Sequence, residues 1–477
     1  MTYKQVWHVL PALKERWYAE AGYRHVLSIA VPLILSTSAW TVQHFVDRVF
    51  LTWYSPVTIA AAMPASMVNF AIMSLFIGTA GYASTFVAQY YGAGRLHRIS
   101  SILGQCLYVA LIAAVVHLFL IPAAGPFFRM VGHASEVQLY EIQYFQILCL
   151  GAGPAVATTG LSAFFNGRGR AWPVMWVTAG STLVNLLFDY AMVFGRWGFP
   201  EMGIRGAGWA TVISACFSCT VLIILLARRD YRSKYRMFSG WRFDGKLFVR
   251  LIRFGLPNGV QFLLDMVGIT MLLLFIGRLG TTFLAATNIA FNINTLAFMP
   301  MLGFGIAVSV LVGQYLGKNC PQMAERAVYS SFHLTFIYMG AIAGAYVLIP
   351  ALFIGPFASQ ADPATFAGIR DLTIVLLRFV AAYSLFDTLH IIFAAAIKGA
   401  GDTRFVMVVI GIASAAILVV PSYIALVLLG RGIYTGWTIA SLYIATLGFV
   451  FLLRFLGGKW KSMRVIESAP VTEKLQA

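Results

Sequence analysis

Twelve apolar stretches separated by short polar breaks organise the whole chain. The first six run at about 26–51, 57–90, 100–124, 138–164, 172–195 and 205–227. The second six run at about 251–276, 282–315, 326–352, 370–397, 404–429 and 433–456. Roughly 20 residues suffice to cross about 30 Å of hydrocarbon, so each stretch predicts a membrane-spanning helix. The second and eighth are too long for a straight crossing. Gly78 and Gly81 in one, and Pro300, Gly303 and Gly305 in the other, predict bends or breaks.

The two sets of six are repeats of each other. An ungapped shift of 225 residues sets Pro32 on Pro257, Ala60-Ala61 on Ala285-Ala286, Asn69 on Asn294, Gly78 on Gly303 and Ser84 on Ser309. It also sets Val87-x-Gln89-Tyr90-x-Gly92 on Val312-x-Gln314-Tyr315-x-Gly317. A shift of 232 sets Gly167-Arg168-Gly169 on Gly399-Ala400-Gly401. Six crossings are an even number, so the repeats run in the same direction, and substrate is expected between them. The fold class is therefore all-α integral membrane, with twelve transmembrane helices in two parallel-repeat six-helix lobes around a central cavity. The divisions are 1–25, an N-terminal segment; 26–227, the first lobe; 228–250, a basic linker; 251–456, the second lobe; and 457–477, a tail.

Composition agrees with that class. Of 477 residues 60% are hydrophobic and 11% charged, more apolar surface than one soluble core can hide. The net charge of +17 points first to a polyanion, but its placement does not. Arg129, Arg196, Arg205, Arg278, Arg370 and Arg431 lie on one side, Arg48 and Arg378 within spans, and the other 26 of the 34 basic residues on the side of the termini. By the positive-inside rule both termini and the 228–250 linker are expected in the cytoplasm of a multi-pass protein of a bacterial-type inner membrane. Linker residues such as Arg228, Arg232 and Lys246 are suited to anionic lipid heads, and no nucleic-acid partner is expected. Residues 1–25 hold no apolar h-region, so no cleavable signal peptide is expected before the first span. The five cysteines form no disulfide framework, and Cys216-x-x-Cys219 lacks the βαβ setting of a redox motif.

Four acids fall well inside spans: Asp47, Asp189, Asp265 and Asp387. Each charged aspartate at a helix centre costs about 2.5–3.5 kcal/mol on insertion scales. Nothing structural in an apolar bundle requires that expense. A polar residue precedes each by four positions, namely Gln43, Asn185, Gln261 and Tyr383, so each acid lies on a polar helix stripe able to line a cavity. A buried carboxylate holds its proton until a cation or an opened water path favours release. That behaviour is what ion-coupled transport needs. His44 lies three residues before Asp47 and His390 three after Asp387, so each is a candidate for a proton relay.

Together, Phe45-Val46-Asp47, Val87-Ala88-Gln89-x-x-Gly92-Ala93-Gly94, Asn185-x-x-x-Asp189, Asp265 eight residues after Pro257, and Tyr383-x-x-x-Asp387 followed by Gly399 resemble the motifs of the multidrug and toxic compound extrusion family. The resemblance covers residues 26–456. It implies two six-helix lobes in a V around a central cavity, extruding organic cations in exchange for sodium ions or protons. It also implies a first-lobe site at Asp47, Asn185, Asp189 and Thr211, with Na+ at the first three, and a second-lobe site at Asp265, Tyr383 and Asp387. The chain departs from the family at Asp265, where several bacterial members carry glutamate, and at Arg48, where small neutral residues are usual. Arg48 points about 100° away from Asp47 on the helix and is expected to snorkel.

The expected function is a secondary antiporter exporting cationic small molecules by alternating access, without a cofactor beyond the coupling Na+ or H+, as a monomer. A flippase of lipid-linked saccharides from the same superfamily would carry basic residues in its cavity. An intramembrane enzyme would need a nucleophile–base or metal constellation, and neither His-x-x-Glu-His-type nor Gly-x-Ser-x-Gly patterns occur. Gly313-x-x-x-Gly317-Lys318-Asn319 is one residue short of a phosphate loop and lacks its Ser/Thr, which argues against ATP drive.

Overall fold

In hydrocarbon every backbone N–H and C=O must be satisfied within its own segment, so long apolar runs become helices. The computed structural model describes residues 15–358 and 363–467. Its long helices are α1 Tyr23–Tyr54, α2 Pro56–Gly92, α3 Leu96–Val131, α4 Ser135–Gly167, α5 Trp172–Val193 and α6 Ile204–Leu226. The second six are α7 Gly245–Gly277, α8 Thr281–Gly317, α9 Pro321–Leu348, α10 Phe366–Ala400, α11 Thr403–Leu428 and α12 Ile433–Leu456. Eleven of these are long and apolar enough to cross a membrane. The twelfth is α5, whose Asn185 and Asp189 dilute its apolar character. The chain is a multi-pass membrane protein.

The two overlong spans behave differently. Helix α2 breaks at Tyr82, directly after Gly81, and resumes at Ala83. Helix α8 runs unbroken through Pro300, so of the bends or breaks expected there the structure has no break. Helix α7 begins at Gly245 rather than near 251 because Asp244 caps it, its carboxylate accepting from Leu247 N–H at 3.1 Å. The connection before it is correspondingly shorter and carries a short helix, Arg229–Tyr235. That helix is pinned to the end of α4, where the Arg168 guanidinium lies 3.7 Å from the Phe164 ring centroid and donates to Tyr235 Oη at 3.1 Å.

The lobes meet through a pseudo-symmetric pair of contacts, α1 on α8 and α2 on α7. Small residues allow this approach: a Cβ on Gly78 would sit 2.5 Å from Gly259 Cα, and one on Gly92 or Gly317 would strike the backbone of Gln314 or Gln89. The first half of α1 even joins the apolar core of the second lobe, through Val26, Ile29, Ala30 and Leu33. Hydrogen bonds between lobes run from the middle of the bundle, at Thr37 Oγ1 to Met299 O (3.1 Å), to the end that carries the 228–244 connection. Among the described residues none joins the opposite halves of the two lobes. The segment after α12 closes the joined end. Val465 packs into the core of the first lobe, and Glu467 meets Arg98 at 3.0 Å and Arg250 at 2.6 Å.

Candidate functional site

Helices α1 and α5 pack together in the first lobe and enclose three of the predicted residues. Asp47 is 8% exposed, while Asn185 and Asp189 are fully buried. Asp47 and Asp189 lie close enough to interact directly. Both ionised carboxylates only accept hydrogen bonds, so neither can satisfy the other without a proton or cation between them. Asp47 Oδ1, both oxygens of Asp189 and both polar atoms of Asn185 have no hydrogen-bond partner. Each such buried orphan costs about 1–3 kcal/mol, and the cluster is thereby suited to receive a small cation. Its donors are hard oxygens. Among the described residues no group of three or more His, Cys, Asp or Glu side chains could hold a metal ion.

The fourth predicted residue, Thr211, lies on α6 and bonds its own helix, donating to Ala207 O at 3.0 Å. Arg48 is exposed and makes no ion pair with a described acid. His44 makes no hydrogen bond to Asp47, and its ring meets that of Trp40 in a T-shaped contact at 4.7 Å. Tyr144 of α4, buried, lies within electrostatic reach of both acids. Its distance in sequence hid it, since nothing local marks a tyrosine on α4 as their neighbour.

The second lobe builds a different site. Asp387 on α10 is buried, and its Oδ1 is 3.2 Å from His390 Nδ1. Thus one of the two predicted relay histidines touches its acid and the other does not. Tyr383 was expected on the same stripe as Asp387, and it is buried there. It makes no hydrogen bond to Asp387, stacking instead on Trp437 of α12 at 6.5 Å. Asp265 on α7 accepts from Gln261 Nε2 at 3.3 Å, and lies within electrostatic reach of Asp387, His390 and Lys398. Tyr443 of α12 is near both acids.

Two charged residues escaped the sequence reading. Lys398 counts there as part of a basic connection, but it is helical, in the last turn of α10, and its ammonium contacts Asn258 and Gln261. Glu141, not among the four acids singled out there, is fully buried on α4 and 2.7 Å from His133. Position relative to an apolar run gave both signals only weakly, since each lies close to a helix end.

The MatE family model matches this chain twice, at residues 32–191 and 257–424. The two matches begin at the two prolines superposed by the 225-residue shift. A probable multidrug resistance protein NorM of Synechocystis sp. is 27% identical over 95% of this chain and 99% of its own. One of Bradyrhizobium diazoefficiens is 30% identical over 80% of this chain and 82% of its own. The multidrug resistance protein PmpM of Pseudomonas aeruginosa is 27% identical over 81% of this chain and 80% of its own. Among solved structures, an outward-facing multidrug resistance MATE transporter of the MOP superfamily superposes with a TM-score of 0.84 at 19% identity, covering 94% of this chain and 98% of that one. With repeat, fold and motifs in agreement over nearly its whole length, the chain belongs to the multidrug and toxic compound extrusion family.

Proposed function

We propose that the protein is a secondary antiporter that exports organic cations in exchange for Na+ or H+ by alternating access. The observation that carries this reading is the pair of acidic clusters, one per lobe, set in a bundle whose lobes, among the described residues, are joined by hydrogen bonds from the middle to one end and not at the other. In the first, Asp47, Asn185 and Asp189 hold the coupling ion, whose arrival satisfies their orphaned oxygens. In the second, Asp265 and Asp387 attract the cationic substrate or the ion that displaces it, with Tyr383 and Trp437 supplying aromatic surface. The reading makes the chain a transporter and not an enzyme.

With both termini and the 228–244 connection in the cytoplasm, the joined end is cytoplasmic and this conformation opens outward. The basic asymmetry of the loops supports that orientation. The relatives named as multidrug resistance proteins support the cargo class. The saccharide-flippase alternative is not favoured, because the buried charges at the two candidate sites, Asp47 and Asp189 in the first lobe and Asp387 in the second, are acids.

The test is ethidium movement in proteoliposomes under an imposed Na+ or H+ gradient, with wild type and Asp47→Asn. Gradient-driven accumulation that Asp47→Asn abolishes, in a protein that still purifies folded, is the expected result. Movement that follows neither gradient, or an Asp47→Asn protein as active as wild type, removes this mechanism.

A further inference from the structure

Lys398 lies two residues before the end of α10, and its ammonium makes no ion pair within 4.0 Å of a described acid. It donates instead to two neutral carbonyl oxygens on α7, Asn258 Oδ1 at 3.2 Å and Gln261 Oε1 at 3.1 Å. An ammonium only donates, so both amides must turn their oxygens toward it and their NH2 groups away. The two NH2 groups then point to different places. That of Gln261 donates to Asp265 Oδ2 at 3.3 Å. That of Asn258 crosses into the other lobe and donates to Gly78 O at 2.9 Å.

The crossing falls at the tightest part of the lobe interface. Gly255 and Gly259, three residues before Asn258 and one after it, let α7 press against Thr79, Leu75 and Gly78 of α2. The backbone around Lys398 is held there too: Tyr82 Oη, at the break in α2, donates to Lys398 O at 2.6 Å, and Gln89 Nε2 to Gly399 O at 3.0 Å. One side chain thus sets the orientation of two amides, one serving an acid of the second-lobe site and the other serving lobe closure.

We propose that Lys398 is a positioning residue that links the charge of Asp265 to closure of the lobe interface. The proposal rests on the reading of Asp265 as part of a cation site. While Asp265 is ionised, Gln261 donates a charge-assisted hydrogen bond that anchors the Lys398 array. When Asp265 takes up a proton or a cation, that bond weakens. The array loses one of its two fixed ends, and the Asn258–Gly78 link holding the lobes weakens with it. The titratable or charged groups facing Asp265 are His390 and Asp387 from α10, Lys398 itself and Tyr443 from α12. Any pH response belongs to that set as a whole, with Lys398 supplying its connection to the interface.

The experiment compares purified wild type, Lys398→Met, Lys398→Arg, Gln261→Met and Asp265→Asn. Equilibrium binding of ethidium is measured across the pH range from about 5 to 9. The lobe separation is read in parallel from spin labels at Thr52 and Thr282, with and without ethidium. Lys398→Met is expected to change the ratio of alkaline to acid affinity at least about fivefold, the lower end of ordinary site-to-site coupling. It should also remove the ethidium-induced change in label separation. Lys398→Arg, which likewise only donates, should keep both, and Gln261→Met should reproduce Lys398→Met while leaving the lysine in place. If Lys398→Met and Gln261→Met both fold and keep the wild-type pH profile and label response while Asp265→Asn alters them, the lysine is structural and the proposal fails. If Asp265→Asn itself changes nothing, the second-lobe site reading fails, and this proposal fails with it.

Discussion

Gln89 and Gln314 occupy equivalent places in the two repeats, and each reaches across the interface to the end of the other lobe's fourth helix. Gln89 Nε2 donates to Gly399 O at 3.0 Å, and Gln314 Nε2 to Gly167 O at 2.8 Å. Gln89 does more, because its Oε1 also accepts from Val465 N–H at 2.9 Å. Both glutamines are buried, so removing either leaves a backbone partner unpaired, at about 1–3 kcal/mol. Gln89→Ala and Gln314→Ala should each shift the conformational equilibrium away from this state by roughly fivefold or more. Gln89→Ala should be the stronger. Distance distributions between labels at Thr52 and Thr282 check both.

Gly78 has no room for a side chain, since the obstruction is the Gly259 backbone and not a movable group. Gly78→Ala should therefore disfavour lobe closure at this end more than either glutamine substitution. Helix content should be unaffected, because alanine is the better helix former. Circular dichroism together with label distances separates these effects. A Gly78→Ala protein with wild-type distances would show that this close contact does not set lobe closure.

At the second-lobe site the partner of Asp387 is His390, whereas Tyr383 stacks on Trp437. Asp387→Asn should weaken binding of a fluorescent organic cation most. His390→Ala should follow, by roughly tenfold, as expected for loss of a hydrogen bond to a charged group. Tyr383→Phe keeps the ring and should cost less than about threefold. Equilibrium titration of the three purified variants checks the order, and a Tyr383→Phe defect as large as that of Asp387→Asn would contradict it.

Glu467, the last described residue, ties the segment after α12 to Tyr90, Arg98 and Arg250 at the joined end. Burial alone would raise its pKa, but its backbone hydrogen bond, Tyr90, Arg98 and Arg250 bring it below the ordinary glutamate value. A lowered pKa means that the carboxylate contributes its full stability above the ordinary glutamate range. The contribution is lost as pH falls through the lowered value. Glu467→Gln should therefore melt below wild type at neutral pH, and the difference should close only on the acid side of that range. A difference that stays constant into strong acid would assign the effect to packing rather than charge.

The hydrophobic pattern alone determined the twelve crossings and the parallel repeat, because membrane spans must be long, apolar and internally hydrogen-bonded, and a repeat survives as matching prolines, glycines and glutamines. The same pattern marked Asp47, Asp189, Asp265 and Asp387, since a charge inside an apolar run stands out without any knowledge of its neighbours. The order along the chain could not show that Asp47 meets Asp189 across two helices, that His390 touches its acid while His44 faces Trp40, or that Tyr144 approaches the first-lobe pair. Those relationships depend on how helices rotate and cross when packed. The contrast is sharpest at Lys398. In the sequence it is one more basic residue beside a glycine motif, indistinguishable from those that mark the linker side. Only when α10 is packed against α7, and α7 against α2, does its ammonium find two amide oxygens and gain a connection to both Asp265 and Gly78. Hydrophobicity is a property of each residue and is read one position at a time, whereas a hydrogen-bonded array exists only once three helices share a single interface.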